Sequence, residues 1–259
     1  MIRPAANPRA HPLFKLGKKK ARRDERNLMF AAILRAPVKL PSAYDFDVKH
    51  RGIPTPMFAN DTYGDCVIAG RAHQTLRFEL MEQGTKIGIS DRDVLREYLK
   101  ETGGVDSGLV VLDSLVAWRK SGWPVGSGKT KRSYRIKAFS ELAPLNHGQV
   151  KQAIYLDVGV GIGLSLTDVA VEQTQTGQVW DLVPGPRGQP NRRNGHYVYV
   201  SGWNPAGPVC VTWGRKQQMT WRFFDACCDE AYAIIDAIDT VRKKKALDAR
   251  KLEAFLTSL

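Results

Sequence analysis

The chain contains 259 residues, of which 43% are hydrophobic and 25% are charged. This composition is typical of a globular protein with a sizeable core, and it excludes general disorder. No apolar run approaches the roughly 20 residues that a membrane helix needs, and the first residues lack the pattern of a secretory signal, so we expect neither. The 4 cysteines are too few for a disulfide scaffold and indicate a reducing compartment.

The net charge of +13 is concentrated at the two ends of the sequence. Residues 1–39 carry +9 and residues 242–259 carry +4, so the stretch 40–241 is neutral. We therefore divide the chain into a basic N-terminal extension, a body over 40–241, and a basic C-terminal helix or tail. The basic runs 15–26 and 242–251 are either solvated tails or arms that bind nucleic acid or another polyanion.

The first half of the body is predicted to be helical. Apolar residues recur at helical spacing over Cys66–Gln83, with Asp65 as a suitable N-cap and Gly84 as a suitable stop. A short apolar helical turn is expected within 27–34 of the extension. Further helices are predicted over 90–102, 109–120 and 146–156.

The second half of the body is predicted to be rich in strands. Segments with β-branched, aromatic or alternating glycine residues predict strands over 158–166, 196–203, 209–213 and 219–224. A flexible loop is expected at 184–195 and a last helix over about 229–238. Helices followed by strands indicate an α+β fold with segregated layers, not a doubly wound sheet.

Cys66 and His196 are the candidate catalytic pair. Cys66 begins a predicted helix, and the N–H groups and dipole of a helix N-terminus stabilise a thiolate. Asp65 acts in the opposite direction, so the thiol needs a cationic partner. His196 opens a strand beside Gly195, where its imidazole can face a cleft and activate the thiol. The alternative interpretation of Cys66 is a small buried core residue.

Several segments around this pair resemble the papain-like cysteine peptidases. Leu40–Asp47 resembles the start of the mature chain of that family, and Asn60–Ala69 resembles its nucleophile segment. Ser107 and Gly108, followed by a helix, resemble the substrate-binding glycine loop. The strands that contain His196 and Trp213 resemble those around the family's catalytic histidine.

The resemblance implies a papain-like two-subdomain fold of a divergent, intracellular bacterial or phage type. It implies a helical half over about 58–145 and a β half over about 146–241. It also implies an enzyme, namely a cysteine-type peptidase or amide hydrolase that acts on a peptide or protein substrate without a cofactor or metal. We expect a cytoplasmic location, or a virion-associated one for a phage protein.

The resemblance also implies roles for individual residues. Cys66 and His196 form a thiolate–imidazolium pair, and Asn60 donates to the oxyanion. Ser107 and Gly108 contact the substrate. Trp213 shields the surroundings of the catalytic histidine.

One departure from the family pattern weakens the catalytic interpretation. Val211 stands where the family has the asparagine that orients the histidine. Thr212, Asn204 or a backbone carbonyl remains as the candidate group to orient the imidazole. Two alternatives therefore stay open: a catalytically impaired scaffold whose basic ends bind nucleic acid or a viral assembly, and an acyl or amide transferase with the same pair. The extension 1–39 could also resemble a short pro-segment that covers the cleft.

Overall fold

The fold was analysed in a computed structural model that describes residues 14–50, 52–237 and 241–257. The helices are α1 (Phe30–Ile33), α2 (Phe46–Lys49), α3 (Cys66–Gln83), α4 (Asp91–Glu101), α5 (Val111–Ser121), α6 (His147–Tyr155), α7 (Ala170–Gln175), α8 (Trp221–Cys227), α9 (Val241–Ala246) and α10 (Ala249–Thr257). The strands are β1 (Tyr44–Asp45), β2 (Trp123–Val125), β3 (Arg132–Tyr134), β4 (Ala138–Glu141), β5 (Gly159–Thr167), β6 (Pro190–Asn204), β7 (Gly207–Thr212), β8 (Arg215–Gln218) and β9 (Cys228–Ile235).

Seven strands of the described chain form one antiparallel sheet in the order β4-β9-β5-β6-β7-β8, and β1 pairs with the far end of β6. Both faces of this sheet are covered. Val198 and Val200 of β6 belong to a core shared with α1, α6, α8 and α10, whereas Tyr197 belongs to a core shared with α3, α4 and α5. Because successive side chains of a strand point to opposite faces, the central strands contribute to both cores.

The α+β fold predicted from the sequence is confirmed, and its helical half follows the predicted pattern. The helix predicted over Cys66–Gln83 is α3, and Gly84 ends it in the left-handed conformation with φ of 62°. Asp65 occupies the N-cap position of α3, but its side chain does not cap the helix. Its carboxylate instead accepts a hydrogen bond from the Asn60 amide at 2.9 Å.

Three elements near the end of the body differ from the sequence expectations. The predicted strand 219–224 is mostly helix α8, because the Thr220 hydroxyl caps it and Phe223 and Phe224 are buried on one side. The predicted helix 229–238 is mostly strand β9, which fills the gap between β4 and β5. The predicted loop 184–195 is largely ordered, since β6 already begins at Pro190.

The two basic ends pack on the body. Phe30 and Ile33 of α1 are buried in one core, and Leu252 of α10 is buried in the same core. Strand β4 lies within the range expected for the helical half, yet it pairs with β9 in the large sheet. Among the described residues, no helix combines the length and apolar character that crossing a membrane requires.

Candidate active site

Cys66 is the first residue of α3, and its side chain is buried with 1% exposure. The thiol therefore lies at the positive end of the dipole of α3. The Ile68 and Ala69 N–H groups of this first turn donate to the Asp65 carbonyl. The backbone N–H groups of Tyr197 and Gly17 face the sulfur. Tyr197 follows His196 in β6, so the strand that carries the histidine passes directly beside the candidate nucleophile.

His196 is fully buried, and its ring is held on two sides. Its Nε2 lies 2.7 Å from the Thr212 hydroxyl, and its ring stacks on Trp213 with 4.2 Å between the centroids. Nδ1 has no hydrogen-bond partner among the described residues. The Thr212 hydroxyl is therefore within hydrogen-bond distance of the imidazole, a contact that the apolar Val211 side chain cannot make.

Asn60 lies at the same end of the cleft, but its amide is already engaged. Its Nδ2 donates to the Asp65 carboxylate at 2.9 Å and to the Tyr63 carbonyl at 3.1 Å. An amide nitrogen has two hydrogens, so Asn60 can serve an oxyanion only after it releases one of these bonds. Burial raises the pKa of the Asp65 carboxyl to about 8, although the hydrogen bond from Asn60 opposes the shift, and the negative charge of Asp106 adds to it.

An extended segment of the N-terminal extension crosses the cleft between the two halves. We call residues 14–19 the strap. On the helical half, the Lys15 N–H donates to the Asn60 carbonyl at 3.0 Å. On the β half, the Lys18 N–H donates to the Gly195 carbonyl at 3.0 Å, and the Trp213 indole donates to the Lys15 carbonyl at 3.3 Å. The strap therefore covers the cysteine and the histidine together.

The predicted substrate-binding loop also contacts the strap. The Leu109 N–H donates to the Gly17 carbonyl and the Lys19 N–H donates to the Leu109 carbonyl, each at 2.8 Å. The neighbouring Ser107 hydroxyl lies 3.5 Å from Nζ of Lys19. The Gly108 backbone passes so close that an added Cβ would lie 2.2 Å from the Gly17 oxygen. These residues thus border a peptide backbone, which in this structure is the chain's own.

The electrostatics under the strap keep the pair neutral. Burial raises the pKa of the Cys66 thiol to about 12, although the N–H groups of Tyr197 and Gly17 oppose the shift. Burial lowers the pKa of the His196 imidazole to about 3, and the nearby Lys18 ammonium lowers it as well. Both shifts favour the neutral thiol and the neutral imidazole in the closed cleft over the thiolate–imidazolium pair, which stays a prediction.

Lys18, Asp229 and Glu230 are site residues that the sequence reasoning missed. The Lys18 side chain is buried with 1% exposure, and its ammonium lies 2.8 Å from the Asp229 carboxylate and 3.4 Å from the Glu230 carboxylate. Lys18 looked like one cation in a basic run, and the acidic pair fell in a predicted helix. No sequence signal connects them across more than two hundred positions.

Among the residues that the structure describes, the other buried cysteines and histidines lie in the core. Cys210 and Cys227 are buried in the core, and His73 packs on Phe58 with 4.8 Å between the ring centroids. No cluster of three or more metal-ligating His, Cys, Asp or Glu side chains occurs in residues 14–50, 52–237 and 241–257.

Comparison with known proteins decides the fold. No protein-family model matches the sequence, and no curated protein matches it. Xylellain, a cysteine protease from Xylella fastidiosa, superposes with a TM-score of 0.64 over 89% of this chain and 100% of its own, at 16% identity. The chain has a papain-like fold.

Two further papain-like structures agree. The procathepsin B of Trypanosoma congolense covers 86% of this chain and 87% of its own, with a TM-score of 0.59 and 14% identity. A cysteine protease of Carica candamarcensis covers 76% of this chain and 99% of its own, with a TM-score of 0.57 and 13% identity. Sequences this different share the architecture, so activity must be argued from the site itself.

Proposed function

We propose that this papain-like chain is a cysteine-type peptidase or amide hydrolase, and that the strap keeps it latent. One observation carries the proposal: the backbone of Gly17 lies against the Cys66 sulfur while the strap bonds to both halves of the cleft. The cleft therefore already accommodates an extended peptide across the candidate nucleophile. The substrate is accordingly a peptide or protein chain that takes the place of the strap.

In the proposed mechanism, Cys66 and His196 act as nucleophile and general base. The Cys66 proton moves to Nδ1 of His196, and the sulfur attacks the substrate carbonyl carbon. The Cys66 N–H and a released Asn60 amide hydrogen stabilise the oxyanion. His196 then gives the proton to the departing amine, which leaves a thioester. Water hydrolyses the thioester and restores the thiol.

Opening the cleft supplies the ionisation that this mechanism needs. Water that replaces the strap reduces the burial that raises the pKa of Cys66 and lowers the pKa of His196. Both pKa values then move toward their ordinary range, where the dipole at the N-terminus of α3 favours the thiolate. Thr212 keeps Nε2 occupied, so Nδ1 remains the atom that exchanges the proton.

A substitution at Gly17 tests the proposal in the full chain. A Cβ added at Gly17 would lie 1.7 Å from the Gly64 carbonyl oxygen, so Gly17→Val should displace the strap without altering the cleft walls. We expect the Gly17→Val chain to hydrolyse peptides in a mixed digest, and the Gly17→Val/Cys66→Ala chain to hydrolyse none. Mass spectrometry of the products measures both. Equal hydrolysis by the two chains would contradict the proposal, as would an inert Gly17→Val chain whose Cys66 is shown to be accessible.

The neutral pair and the engaged Asn60 favour a second candidate, a non-catalytic scaffold. In that case the function lies in the basic ends 15–26 and 242–251, which would bind nucleic acid or another polyanion. An accessible but inert Cys66 would favour this scaffold. A product that carries an added amine instead of water would favour acyl or amide transfer by the same pair.

A further inference from the structure

A small acidic pocket opens beside Cys66 on the β half of the cleft. We define the acidic pocket by Gly163, Ser165, Asp229 and Glu230. The Asp229 carboxylate accepts from the Ser165 hydroxyl at 2.9 Å, and the Glu230 carboxylate accepts from the Tyr232 hydroxyl at 3.2 Å. These bonds fix both carboxylates in position, so the pocket presents a prearranged pair of negative charges.

A β-bulge explains how two consecutive residues reach one ammonium. Gly163 pairs with Glu230, but the next residue, Leu164, pairs with Cys228, so Asp229 is the extra residue of β9. Successive side chains of a regular strand point to opposite faces, whereas a bulge redirects one of them. Asp229 and Glu230 can therefore both contact the Lys18 ammonium.

Gly163 gives the pocket room for a long side chain. A Cβ added at Gly163 would lie 2.2 Å from Cε of Lys18 and 2.5 Å from Cγ of Glu230. Any larger residue would fill the channel along which the lysine stem runs. The pocket thus combines space for an unbranched stem with two carboxylates at its end.

The pocket also needs a cation whenever a chain covers the cleft. The Lys18 side chain is 1% exposed and the Glu230 side chain is 4% exposed, so water does not compensate their charges, whereas the Asp229 side chain is 35% exposed and is partly solvated. Burying carboxylates without a counter-charge is costly, whereas a well-placed ammonium offsets much of that cost. A covering peptide without a basic residue at this place would leave the buried Glu230 carboxylate without a counter-charge.

We infer that the acidic pocket selects a lysine or arginine side chain of the peptide that binds in the cleft, with Asp229 and Glu230 as specificity-determining residues and Lys18 as the occupant in the closed form. The inference deepens the proposed function, on which it rests for the statement that the bound peptide is a substrate. Lys18 follows Gly17, which lies at the Cys66 sulfur. The basic residue of a substrate is therefore expected within two residues of the cleaved bond.

Peptide binding tests the pocket without requiring catalysis. The full chain with Gly17→Val and Cys66→Ala is mixed with a fluorescein-labelled peptide that has the sequence of residues 14–20, or with an analogue that has norleucine in place of Lys18. Norleucine keeps the apolar stem and lacks the ammonium. We expect fluorescence anisotropy to show about tenfold or more weaker binding of the analogue, the scale of a broken buried charge pair. Equal binding of the two peptides, or no binding of either, would overturn the inference.

Variants of the pocket provide the matched controls. Asp229→Asn with Glu230→Gln should reduce the difference between the two peptides to less than about threefold. Glu172→Gln, which changes a carboxylate paired with Arg187 on the surface, should leave the difference intact. A difference that survives in the double variant would contradict the role of the pocket. Should the double variant fail to fold, the comparison of the two peptides on the unaltered pocket still decides the question.

Cleavage-site mapping separates this inference from the proposed function. The Gly17→Val chain is incubated with a peptide mixture, and the products are sequenced by mass spectrometry. Lysine-dependent binding without any cleavage would contradict the proposed function, while the inferred selectivity of the acidic pocket would remain supported. Cleavage without enrichment of lysine or arginine at a fixed position would contradict the inferred selectivity of the acidic pocket, while the proposed function would remain supported.

Discussion

The strap near one end of the chain and α10 near the other are both basic in sequence, and they differ in what their cations contact. Lys243 of α9, which lies in the same C-terminal basic run as Lys251, is also buried, so the contrast is with α10 alone. In the strap, Lys18 is buried against Asp229 and Glu230, and the backbone around it bonds to both halves of the cleft. At the other end, α10 anchors itself through the apolar side chain of Leu252, while cations such as Lys251 remain exposed.

This difference shows that a basic run in the sequence does not by itself indicate what its cations bind. Electrostatic attraction in water is weak and nonspecific, whereas the same charge inside a shaped pocket becomes specific. The strap has such a pocket because its backbone places one lysine at a bulged strand. The cations of α10 point to solvent, where they remain available to a polyanion.

The largest effect that the comparison predicts is on the reactivity of Cys66. Gly17→Val should raise the rate of alkylation by iodoacetamide near pH 7 by up to about three thousandfold, because a thiol pKa falling from about 12 to an ordinary value of about 8.5 increases the thiolate fraction by that factor. Mass spectrometry locates the modified cysteine. Lys251→Val at the other end is the control and should leave the rate unchanged. Similar rates in the two variants would remove the contrast between the ends.

The next effect is on stability. Lys18→Met should lower the free energy of unfolding at pH 8 by about 2–3 kcal/mol, since it leaves two carboxylates beside an apolar stem. Lys251→Met should change it by less than about 0.5 kcal/mol, because that side chain is exposed. Urea unfolding measures both values. Equal losses would mean that the buried Lys18 ammonium contributes no more to the free energy of unfolding than a solvated one.

The pH dependence of that loss has a defined sign. Burial raises the pKa of the Glu230 carboxyl to about 7, so its contribution to stability is fully present below about pH 4 and is lost as the pH rises through 7. Without Lys18 the pKa rises further, and the loss extends to higher pH. The destabilisation by Lys18→Met should therefore be smaller at pH 5 than at pH 8. A loss that is larger at pH 5 would contradict the ion pair.

A smaller effect is expected inside the cleft, and only when the strap is displaced. Thr212→Val should lower peptide hydrolysis by the Gly17→Val chain about tenfold, because the His196 ring loses its hydrogen bond at Nε2. Thr212→Ser keeps a hydroxyl and should retain most of the activity. Initial rates of a cleaved peptide compare the three chains. Equal activity of the valine and serine variants would remove the orienting role.

The smallest effect concerns polyanions. Binding of heparin should weaken with salt, and Lys244→Gln with Lys251→Gln should reduce the slope of log affinity against log salt by about 2, one for each exposed cation removed. Lys18→Met should leave the slope unchanged, because its ammonium is already paired in the acidic pocket. Titrations at several salt concentrations measure the slopes. A larger change from Lys18 would show that the strap leaves the cleft to bind polyanions.

The sequence was sufficient where local patterns decide structure. The apolar periodicity after Asp65 and the left-handed Gly84 predicted α3 from end to end, so the position of Cys66 on its first turn followed. The β-branched residues around His196 predicted the strand that brings the histidine to the cleft. The predicted and observed elements agree here because the residues within each element favour its conformation, independently of distant contacts.

The sequence did not predict the elements whose conformation depends on contacts with distant parts of the chain. Residues 229–235 have apolar spacing compatible with a helix, yet they become β9 because β4 and β5 offer hydrogen-bond partners on both sides. The bulge at Asp229 exists only in that pairing. The burial of Lys18 depends in turn on the bulge, so the acidic pocket is a product of tertiary structure.

The covalent continuity of the strap with the body has a consequence for how the cleft can open. Residues beyond the strap remain anchored through Phe30 and Ile33 in the core. A displaced strap therefore stays near the cleft at an effective concentration in the millimolar range, as expected for a short tether. A free peptide at micromolar concentration competes poorly with such an intramolecular ligand, unless the strap no longer fits the cleft, as in Gly17→Val. Cutting the chain between Lys20 and Leu28 would turn the strap into a dissociable peptide, and dilution alone would then keep the cleft open.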